Sequence, residues 1–154
     1  MPQTLILPDE AATAALAARL APLLTAGDVV TLRGDLGAGK TALARSIIRH
    51  LAGDPAEEVP SPTFTLVQTY EHLDPPVWHF DLYRLSDPGE VVELGWEEAR
   101  QACALVEWPE RLGPLLPRDR LDIELTLDGP TARRAVLNGH GTWGPRLEPP
   151  PEGI

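Results

Sequence analysis

The first third of the chain has apolar positions spaced as in a helix. After a short apolar start at residues 5–7, apolar residues recur every three or four positions, and Asp9 precedes them as a candidate N-cap. The residues with this spacing are Leu16, Leu20, Leu23 and Leu24. A continuous apolar run at 29–32 predicts a buried strand, and residues 42–51 predict a second helix that Gly53 ends.

The middle of the chain favours strands. Residues 63–70 and 77–83 are rich in β-branched, aromatic and other apolar residues, and the short connection 72–76 contains two prolines. We therefore expect the two segments to pair as a hairpin. Residues 87–101 have a helical pattern, which we expect to break near Gly95.

The last third predicts another buried strand and a second hairpin. The apolar run 103–106 ends on Glu107. Residues 121–127 and 133–137 alternate between apolar and polar positions on either side of a Gly-Pro turn. The order of strand, glycine-rich loop, helix and further strands predicts a three-layer α/β fold with a mixed sheet and hairpin additions.

Composition and charge narrow the functional classes. A chain of 154 residues with 43% hydrophobic content suits one domain, and no apolar stretch approaches the ~20 residues of a membrane span. A single cysteine, Cys103, fits a reducing compartment, so we expect a cytoplasmic protein. The net charge of −10 disfavours direct nucleic-acid binding, so any contact with RNA is expected to be indirect, through a partner protein.

A phosphate-binding loop lies between the predicted strand 29–32 and the helix that follows. Gly34, Gly39, Lys40 and Thr41 match the pattern G-x-x-x-x-G-K-[ST]. In this pattern, main-chain N–H groups surround a phosphate, the lysine reaches the β- and γ-phosphates, and the hydroxyl ligates magnesium. Of the 13 cationic residues 12 are arginine, and Lys40 is the only lysine. The sequence therefore predicts a P-loop NTPase-like domain that binds ATP with Mg²⁺.

Two carboxylates follow predicted strands and are candidates for magnesium binding or catalysis. Glu107 follows four apolar residues, and Asp81 lies beside His79 and Arg84. Either carboxylate can also be a plain solvated residue at the end of a strand, and the pattern alone does not rank them. His79 is interpreted as a structural histidine, while Arg84 can either bind phosphate or form an ion pair with a carboxylate.

A hydroxyl-rich segment at 61–65 lies where switch loops of phosphate-loop proteins occur. A hydroxyl such as that of Thr63 can sense the γ-phosphate or its magnesium ion. The alternative is an ordinary turn of serine, proline and threonine.

Taken together, these segments resemble the TsaE family of small bacterial ATPases. The resemblance covers roughly residues 5 to 137. It rests on the loop 34–41, the segment 61–67 with Tyr70, the segments 79–85 and 93–95, the segment 105–109, and Asp9-Glu10 with Thr13. The order and spacing of these motifs make the resemblance far more specific than the phosphate loop alone. Ala42 is a departure, because a second threonine is common at that position.

The resemblance implies an ATPase that uses ATP and Mg²⁺, is slow alone, and is stimulated by the TsaD and TsaB proteins. These partners install threonylcarbamoyl on adenosine 37 of tRNA, and ATP hydrolysis would reset their complex. The implied catalytic residues are Lys40, Asp81 and Glu107, with Thr41 and Glu107 as magnesium ligands and Trp108 as a buttress. The implied nucleotide-binding residues are Thr13, Gly37, Ala38, Gly39, Lys40, Thr41, Ala42 and Thr63.

Three other functions remain open. A small-molecule kinase needs an arginine-rich lid, which the pattern lacks. A GTPase would use an Asn-Lys-x-Asp run, for which no second lysine is available. A nucleotide-sensing interaction module without useful turnover is compatible with the sequence. We predict an ATPase domain at 1–138 and a loose tail rich in glycine and proline at 139–154.

Overall fold

A single mixed sheet of seven strands organises the part of the chain that the computed structural model describes, residues 2–147. The strands are β1 (Gln3–Leu7), β2 (Val29–Arg33), β3 (Val67–Tyr70), β4 (Val77–Asp81), β5 (Cys103–Glu107), β6 (Arg120–Leu127) and β7 (Arg133–His140). Their order across the sheet is β1-β7-β6-β2-β5-β4-β3. The central strand β2 runs parallel to β5 and β6, and β4 runs parallel to β5.

Two antiparallel hairpins complete the sheet, as the sequence predicted. One pairs β3 with β4, and the other pairs β6 with β7. The strand β1, which the sequence left unassigned, pairs antiparallel with β7 at the edge. The parallel centre places the carboxyl ends of β2, β4 and β5 at the same edge of the sheet, where functional sites of α/β folds commonly lie.

Helices cover both faces of the sheet. They are α1 (Glu10–Leu20), α2 (Lys40–Ala52), α3 (Gly89–Glu93), α4 (Trp96–Ala99) and α5 (Trp143–Arg146), with 3₁₀ turns at Ala21–Leu23 and Pro109–Leu115. Alternate strand residues enter two separate apolar clusters, one shared with α1 and α2 and the other with α3 and α4. This division confirms the predicted three-layer α/β fold.

Local signals in the sequence set the helix ends. The Oδ1 atom of Asp9 accepts a hydrogen bond from the Ala12 N–H at 2.9 Å, so Asp9 caps α1. Gly53, at φ 65°, ends α2 in the left-handed conformation. Gly95, at φ 101°, separates α3 from α4, and a Cβ there would collide with the Trp78 ring. All three predicted boundaries are confirmed.

Two predictions about local structure are wrong. Residues 63–66 form turns and not a strand, and the Leu66 N–H donates to the Pro62 carbonyl at 2.7 Å. The segment after 138 is not a loose tail as far as residue 147. The strand β7 continues to His140, and α5 follows with Trp143 buried. Residues 148–154 of the predicted tail lie outside the described residues. Within residues 2–147, no helix has the length and apolar character needed to span a membrane.

Candidate functional site

The glycine-rich loop joins the carboxyl end of β2 to the first turn of α2, as the sequence predicted. Gly34 has a φ of 145° and lies against the Leu125 carbonyl, so a Cβ there would collide with backbone. Gly39, at φ 106°, is the N-cap of α2 and has no side chain that could satisfy the first N–H groups of that helix. The loop therefore presents unpaired N–H groups and a positive helix dipole, which suit an anion.

A cavity of about 280 Å³ opens beside this loop. It is lined by Leu36, Gly37, Gly39, Lys40, Thr41, Ala42, Thr63, Asp81, Tyr83, Glu107 and Trp108. Nine residues that the sequence analysis assigned to the site, Trp108 included, are among them, although they come from four separate parts of the chain. The parallel pairing of β2, β5 and β4 brings together all of them except Thr63, whose hydroxyl contacts Asp81 from the turn segment before β3.

The Lys40 ammonium lies within the loop that carries it. Its Nζ atom donates to the carbonyls of Gly34 at 2.5 Å and Asp35 at 2.8 Å, and it lies 4.2 Å from the centre of the Trp108 ring. Burial lowers the pKa of the Lys40 amine, and the nearby carboxylates of Glu107 and Asp81 only partly oppose this effect. The ammonium thus contacts neutral carbonyl oxygens, which an anionic ligand can replace at a gain in electrostatic energy.

Glu107 is buried at the end of β5 and contacts the first turn of α2. The Thr41 hydroxyl lies 2.8 Å from Oε1 and 3.0 Å from Oε2 of Glu107. The Nε2 atom of His79 lies 2.7 Å from Oε2 of the same carboxylate. Glu107 is only 2% exposed, so these contacts fix its side chain. The sequence interpreted His79 as structural, but in the fold it contacts the candidate magnesium-binding carboxylate.

Asp81 lies directly opposite Glu107 in the register of β4 and β5. Its Oδ1 atom accepts a hydrogen bond from the Tyr83 N–H at 3.1 Å, and its Oδ2 atom lies 3.4 Å from the Thr63 hydroxyl. Thr63 in turn is 2.7 Å from the Ser61 hydroxyl. Asp81 thus connects the sheet to the segment predicted as a switch loop, while Glu107 connects the sheet to the phosphate loop.

Aromatic residues close one side of the cavity. Trp108 has a φ of 60°, which is rare for a large side chain, and its ring lies 4.8 Å from that of Tyr83. The Arg84 guanidinium lies over the exposed Phe64 ring, 4.6 Å from its centre. Arg84 is therefore engaged with the predicted switch segment, which neither sequence interpretation of this arginine anticipated.

A smaller cavity of about 100 Å³ adjoins the first. Thr13 and Ala38 line it, and Gly39 and Ala42 line both cavities. Thr13, assigned to the nucleotide site by the resemblance, is thus on the far side of the phosphate loop from Glu107. Proximity of Thr13 to the adenine stays a prediction.

The sequence did not mark every residue that lines these cavities. The Nη2 atom of Arg133 lies 3.4 Å from the Gly37 carbonyl, and the Arg133 side chain lines the smaller cavity. No local motif marks Arg133, because only the position of β7 in the sheet brings it to the loop.

The residues around the larger cavity fit ATP with Mg²⁺. The glycine turns leave room for phosphate, since a Cβ at Gly37 would meet no atom within 4 Å. No group of three or more His, Cys, Asp or Glu side chains suited to a metal ion occurs within residues 2–147. Magnesium in nucleotide sites is bound by one or two protein oxygens together with substrate phosphates and water, so Thr41 and Glu107 suffice.

Comparisons with known proteins point to one family. A family model described as "Threonylcarbamoyl adenosine biosynthesis protein TsaE" matches residues 7–136. A protein of Rickettsia felis named tRNA threonylcarbamoyladenosine biosynthesis protein TsaE is 45% identical over 122 residues, which cover 79% of this chain and 71% of that protein. A Bacillus subtilis protein of the same name is 37% identical over 134 residues, covering 87% of this chain and 82% of that protein.

A solved structure has the same fold. The crystal structure of Bacillus subtilis YdiB matches with a TM-score of 0.78 and 28% sequence identity, covering 96% of this chain and 93% of that chain. The match extends over both hairpins and both helical layers, so the arrangement of strands around the loop 34–41 is shared with a known protein.

Proposed function

The chain belongs to the TsaE family, and from this premise we propose that it binds and hydrolyses ATP with Mg²⁺ as the ATPase component of the machinery for threonylcarbamoyladenosine at position 37 of tRNA. Hydrolysis would reset the complex of the TsaD and TsaB proteins. The observation that carries the proposal is one cavity lined by the phosphate loop, Thr63, Asp81 and Glu107.

The phosphate loop supports binding of a triphosphate. The first N–H groups of α2, together with the Lys40 ammonium, offer several donors and a positive charge within one cavity. In the structure, two loop carbonyls hold the ammonium, and a phosphate oxygen makes a stronger, charge-assisted partner. Binding would therefore transfer the Lys40 hydrogen bonds from loop carbonyls to phosphate.

Thr41 and Glu107 would hold the magnesium ion. The Thr41 hydroxyl donates a hydrogen bond to Glu107, so the lone pairs of the hydroxyl oxygen stay free for a cation. The Glu107 carboxylate accepts that hydrogen bond and adds negative charge beside the cation. A magnesium ion held by these two residues would supply positive charge against the phosphates of the nucleotide.

Asp81 is the residue we propose to orient the attacking water. It lies opposite Glu107 in the sheet register and contacts Thr63 from the predicted switch segment. A carboxylate at this position can accept a proton from a water molecule, while Thr63 moves with the segment that senses the terminal phosphate. Asp81 and Glu107 thus have separate proposed tasks because they contact different segments.

The charge of the chain supports an indirect relation to tRNA. A net charge of −10 repels a polyanion. We therefore propose that TsaD and TsaB, and not this chain, contact the tRNA, and that this chain acts with them in the cytoplasm. The partner names follow from the family.

A radioactive assay separates hydrolysis from the two alternatives, a small-molecule kinase and a nucleotide-sensing module. Purified protein is incubated with γ-labelled ATP and Mg²⁺, with and without TsaD and TsaB. We expect label to appear as free phosphate, slowly for the chain alone and faster with the partners. Label on an acceptor molecule would indicate the kinase, and nucleotide binding without any release of phosphate would indicate the sensing module.

Two variants test the proposed residues. Asp81→Asn should retain ATP binding and lose most phosphate release, whereas Glu107→Gln should weaken the Mg²⁺-dependent part of binding as well. Asp128→Asn is a matched control, since Asp128 is exposed near the turn between β6 and β7. Unchanged turnover in both site variants would contradict the catalytic assignment.

The role with partners needs its own experiment. Tagged protein is used to recover TsaD and TsaB with ATP, with ADP and without nucleotide. We expect greater recovery with ATP, because the predicted switch segment at 61–65 contacts Asp81 and presents Phe64, which is 79% exposed, to a partner. Equal recovery in the three states would contradict a nucleotide-gated cycle.

A further inference from the structure

His79 is a fully buried polar residue in the middle of β4. It pairs with Leu105 in the register of β4 and β5, and its side chain reaches diagonally to the next inward-facing residue of β5, which is Glu107. The distance from Nε2 of His79 to Oε2 of Glu107 is 2.7 Å. Neither side chain has significant contact with solvent, at 0% and 2% exposure.

The other ring nitrogen of His79 argues against a purely structural role. Nδ1 is buried and has no hydrogen-bond partner among the described residues. A histidine retained only to stabilise the core is expected to have both nitrogens satisfied, because an unpaired buried polar atom is costly. The hydrogen bond to Glu107 is therefore the polar interaction that accounts for a histidine at this position.

The unpaired Nδ1 atom also indicates which ring nitrogen of His79 carries the proton. An ionised Glu107 can only accept hydrogen bonds, so the Nε2 atom of His79 must donate. The donated proton therefore lies on Nε2, and Nδ1 is the ring atom left unpaired.

Glu107 needs a donor at this position. The single hydroxyl proton of Thr41 serves both carboxylate oxygens, and the main chain around Glu107 is committed to the sheet. A buried carboxylate oxygen without a donor is unfavourable, and without one the side chain could rotate away from Thr41. The N–H of His79 approaches Oε2 from the side of the sheet and so holds the carboxylate toward α2.

We propose that His79 is a positioning residue that orients Glu107, through its Nε2–H, toward a divalent cation bound with the nucleotide at Thr41. The inference rests on the proposed function, because it concerns the magnesium site of the same cavity. His79 acts through Glu107 and touches neither nucleotide nor metal. Partners of this kind fix the orientation of a ligand, and their loss typically lowers metal affinity by about 10- to 100-fold.

Two substitutions separate positioning from packing. His79→Gln keeps a side-chain N–H at about the distance of Nε2, whereas His79→Leu fills a similar volume without a donor. ATP affinity is measured by calorimetry at a series of Mg²⁺ concentrations and also in EDTA. We expect His79→Leu to need about 10-fold more Mg²⁺ for the same gain in affinity, with affinity in EDTA unchanged. His79→Gln should stay within about 3-fold of the unmodified protein, on the same scale.

The results that would overturn the inference are distinct from those that would overturn the proposed function. Unmodified protein that does not bind ATP at any Mg²⁺ concentration contradicts the proposed function. Unmodified protein that binds in a Mg²⁺-dependent way, with His79→Leu identical to it, contradicts only the role of His79. A fall in affinity that is equal in EDTA and in Mg²⁺ also contradicts it, because packing would then be the cause.

A double-mutant cycle tests whether His79 acts through Glu107. In a Glu107→Gln background, His79→Leu should cause no further loss of Mg²⁺ dependence. Additive losses would mean that His79 acts by another route.

Nuclear magnetic resonance tests the inference on the unmodified chain, which avoids any folding defect of the variants. The ¹⁵N shifts of the His79 ring should show the proton on Nε2, and addition of Mg²⁺ to the protein saturated with ADP should shift the Nε2–H signal. A proton on Nδ1 alone would contradict donation to Glu107. An unchanged Nε2–H signal on Mg²⁺ binding would contradict coupling to the metal site.

Discussion

The two ends of the central strand β2 hold charged residues in opposite ways. At the amino end, Arg146 of α5 donates from Nη1 and Nη2 to the two oxygens of Asp28, each at 2.8 Å. The Arg146 guanidinium also lies 3.7 Å from the centre of the Trp143 ring. At the carboxyl end, the Lys40 ammonium donates to two neutral carbonyls of its own loop and lies over the ring of Trp108, whose backbone is strained.

The difference indicates which end is prepared for a ligand. A bidentate arginine–carboxylate pair satisfies its own charges and contributes to the stability of the folded state. A buried ammonium held by carbonyls, with its pKa lowered by burial, is unfavourable in the free protein and gains from an incoming anion. The proposed ligand site and a stabilising ion pair thus lie at opposite ends of one strand, and substitutions at the two ends should have different consequences.

The largest expected effect is at the carboxyl end. Lys40→Ala should weaken ATP binding by at least about 30-fold, because it removes a buried charge-assisted contact worth roughly 2 kcal/mol or more. Affinity is measured by calorimetry at millimolar Mg²⁺. The melting temperature should not fall. Because burial lowers the pKa of the Lys40 amine, the unfolded chain binds that proton more tightly, and the charge opposes folding at pH values below its ordinary pKa of 10.5.

The chain has no second lysine that could serve as a matched control. The control is therefore a substitution that keeps the positive charge at position 40. Lys40→Arg keeps a positive charge but not a compact ammonium that fits between the carbonyls of Gly34 and Asp35, and we expect it to recover little of the affinity. Full recovery would mean that charge alone matters, and affinity that survives Lys40→Ala would contradict the binding site itself.

The second prediction concerns the amino end. Arg146→Met should reduce the free energy of unfolding by about 2 kcal/mol, less than for a completely buried pair because Arg146 is a quarter exposed. For a chain of this length, the melting temperature would fall by about 6 °C. Calorimetric unfolding checks this result, with Arg118→Met as the exposed control. ATP affinity should be unchanged, and a matching loss of affinity would contradict the separation of the two ends.

The sequence alone predicted most of the residues that meet at the carboxyl end of β2. The phosphate loop has a fixed spacing, and Asp81 and Glu107 each follow a strand, so parallel pairing was enough to bring them to one cavity. The contact of His79 with Glu107 was not anticipated because it runs diagonally across two strands, which no local pattern encodes. Arg133 was missed for the same reason, since its place depends on which strand lies beside β6.

Sequence was less informative about the amino end. The glycines and prolines after residue 138 suggested a loose segment, but α5 is held by Trp143 and by the pair between Arg146 and Asp28, residues 118 positions apart. Composition describes local preference and does not report such distant contacts. The prediction of a strand at 63–66 was wrong because Leu66 adopts a φ of 70°, which turns the chain toward Asp81.

A smaller effect should appear in acid. Burial raises the pKa of Asp28, but hydrogen bonds from Arg146 and Thr25 outweigh it, so the pKa lies below the ordinary 3.8. The folded state therefore releases this proton more readily, and the stabilisation is present above pH 3.8 and lost as pH falls through the folded value. Denaturant unfolding at pH 7, 5, 4 and 3 should show the difference between the protein and Arg146→Met shrinking only below about pH 4. A difference that shrinks already between pH 7 and 5 would contradict the assignment to Asp28.

The smallest expected effect is an absence of reaction at Cys103, the first residue of β5 and part of the same amino end. Burial raises the pKa of the Cys103 thiol to about 12, with Asp28 contributing in the same direction. Because the thiolate is the reactive form, an aromatic disulfide reagent at pH 8 should label the folded protein only as fast as it opens. In denaturant, labelling should be immediate. In the folded protein, labelling should be faster for Arg146→Met than for Arg118→Met, since only Arg146→Met loosens the amino end of β2. Equal labelling rates in the two variants would mean that α5 does not close the amino end. Labelling in Lys40→Ala should match the unmodified protein, because that substitution affects the opposite end of β2.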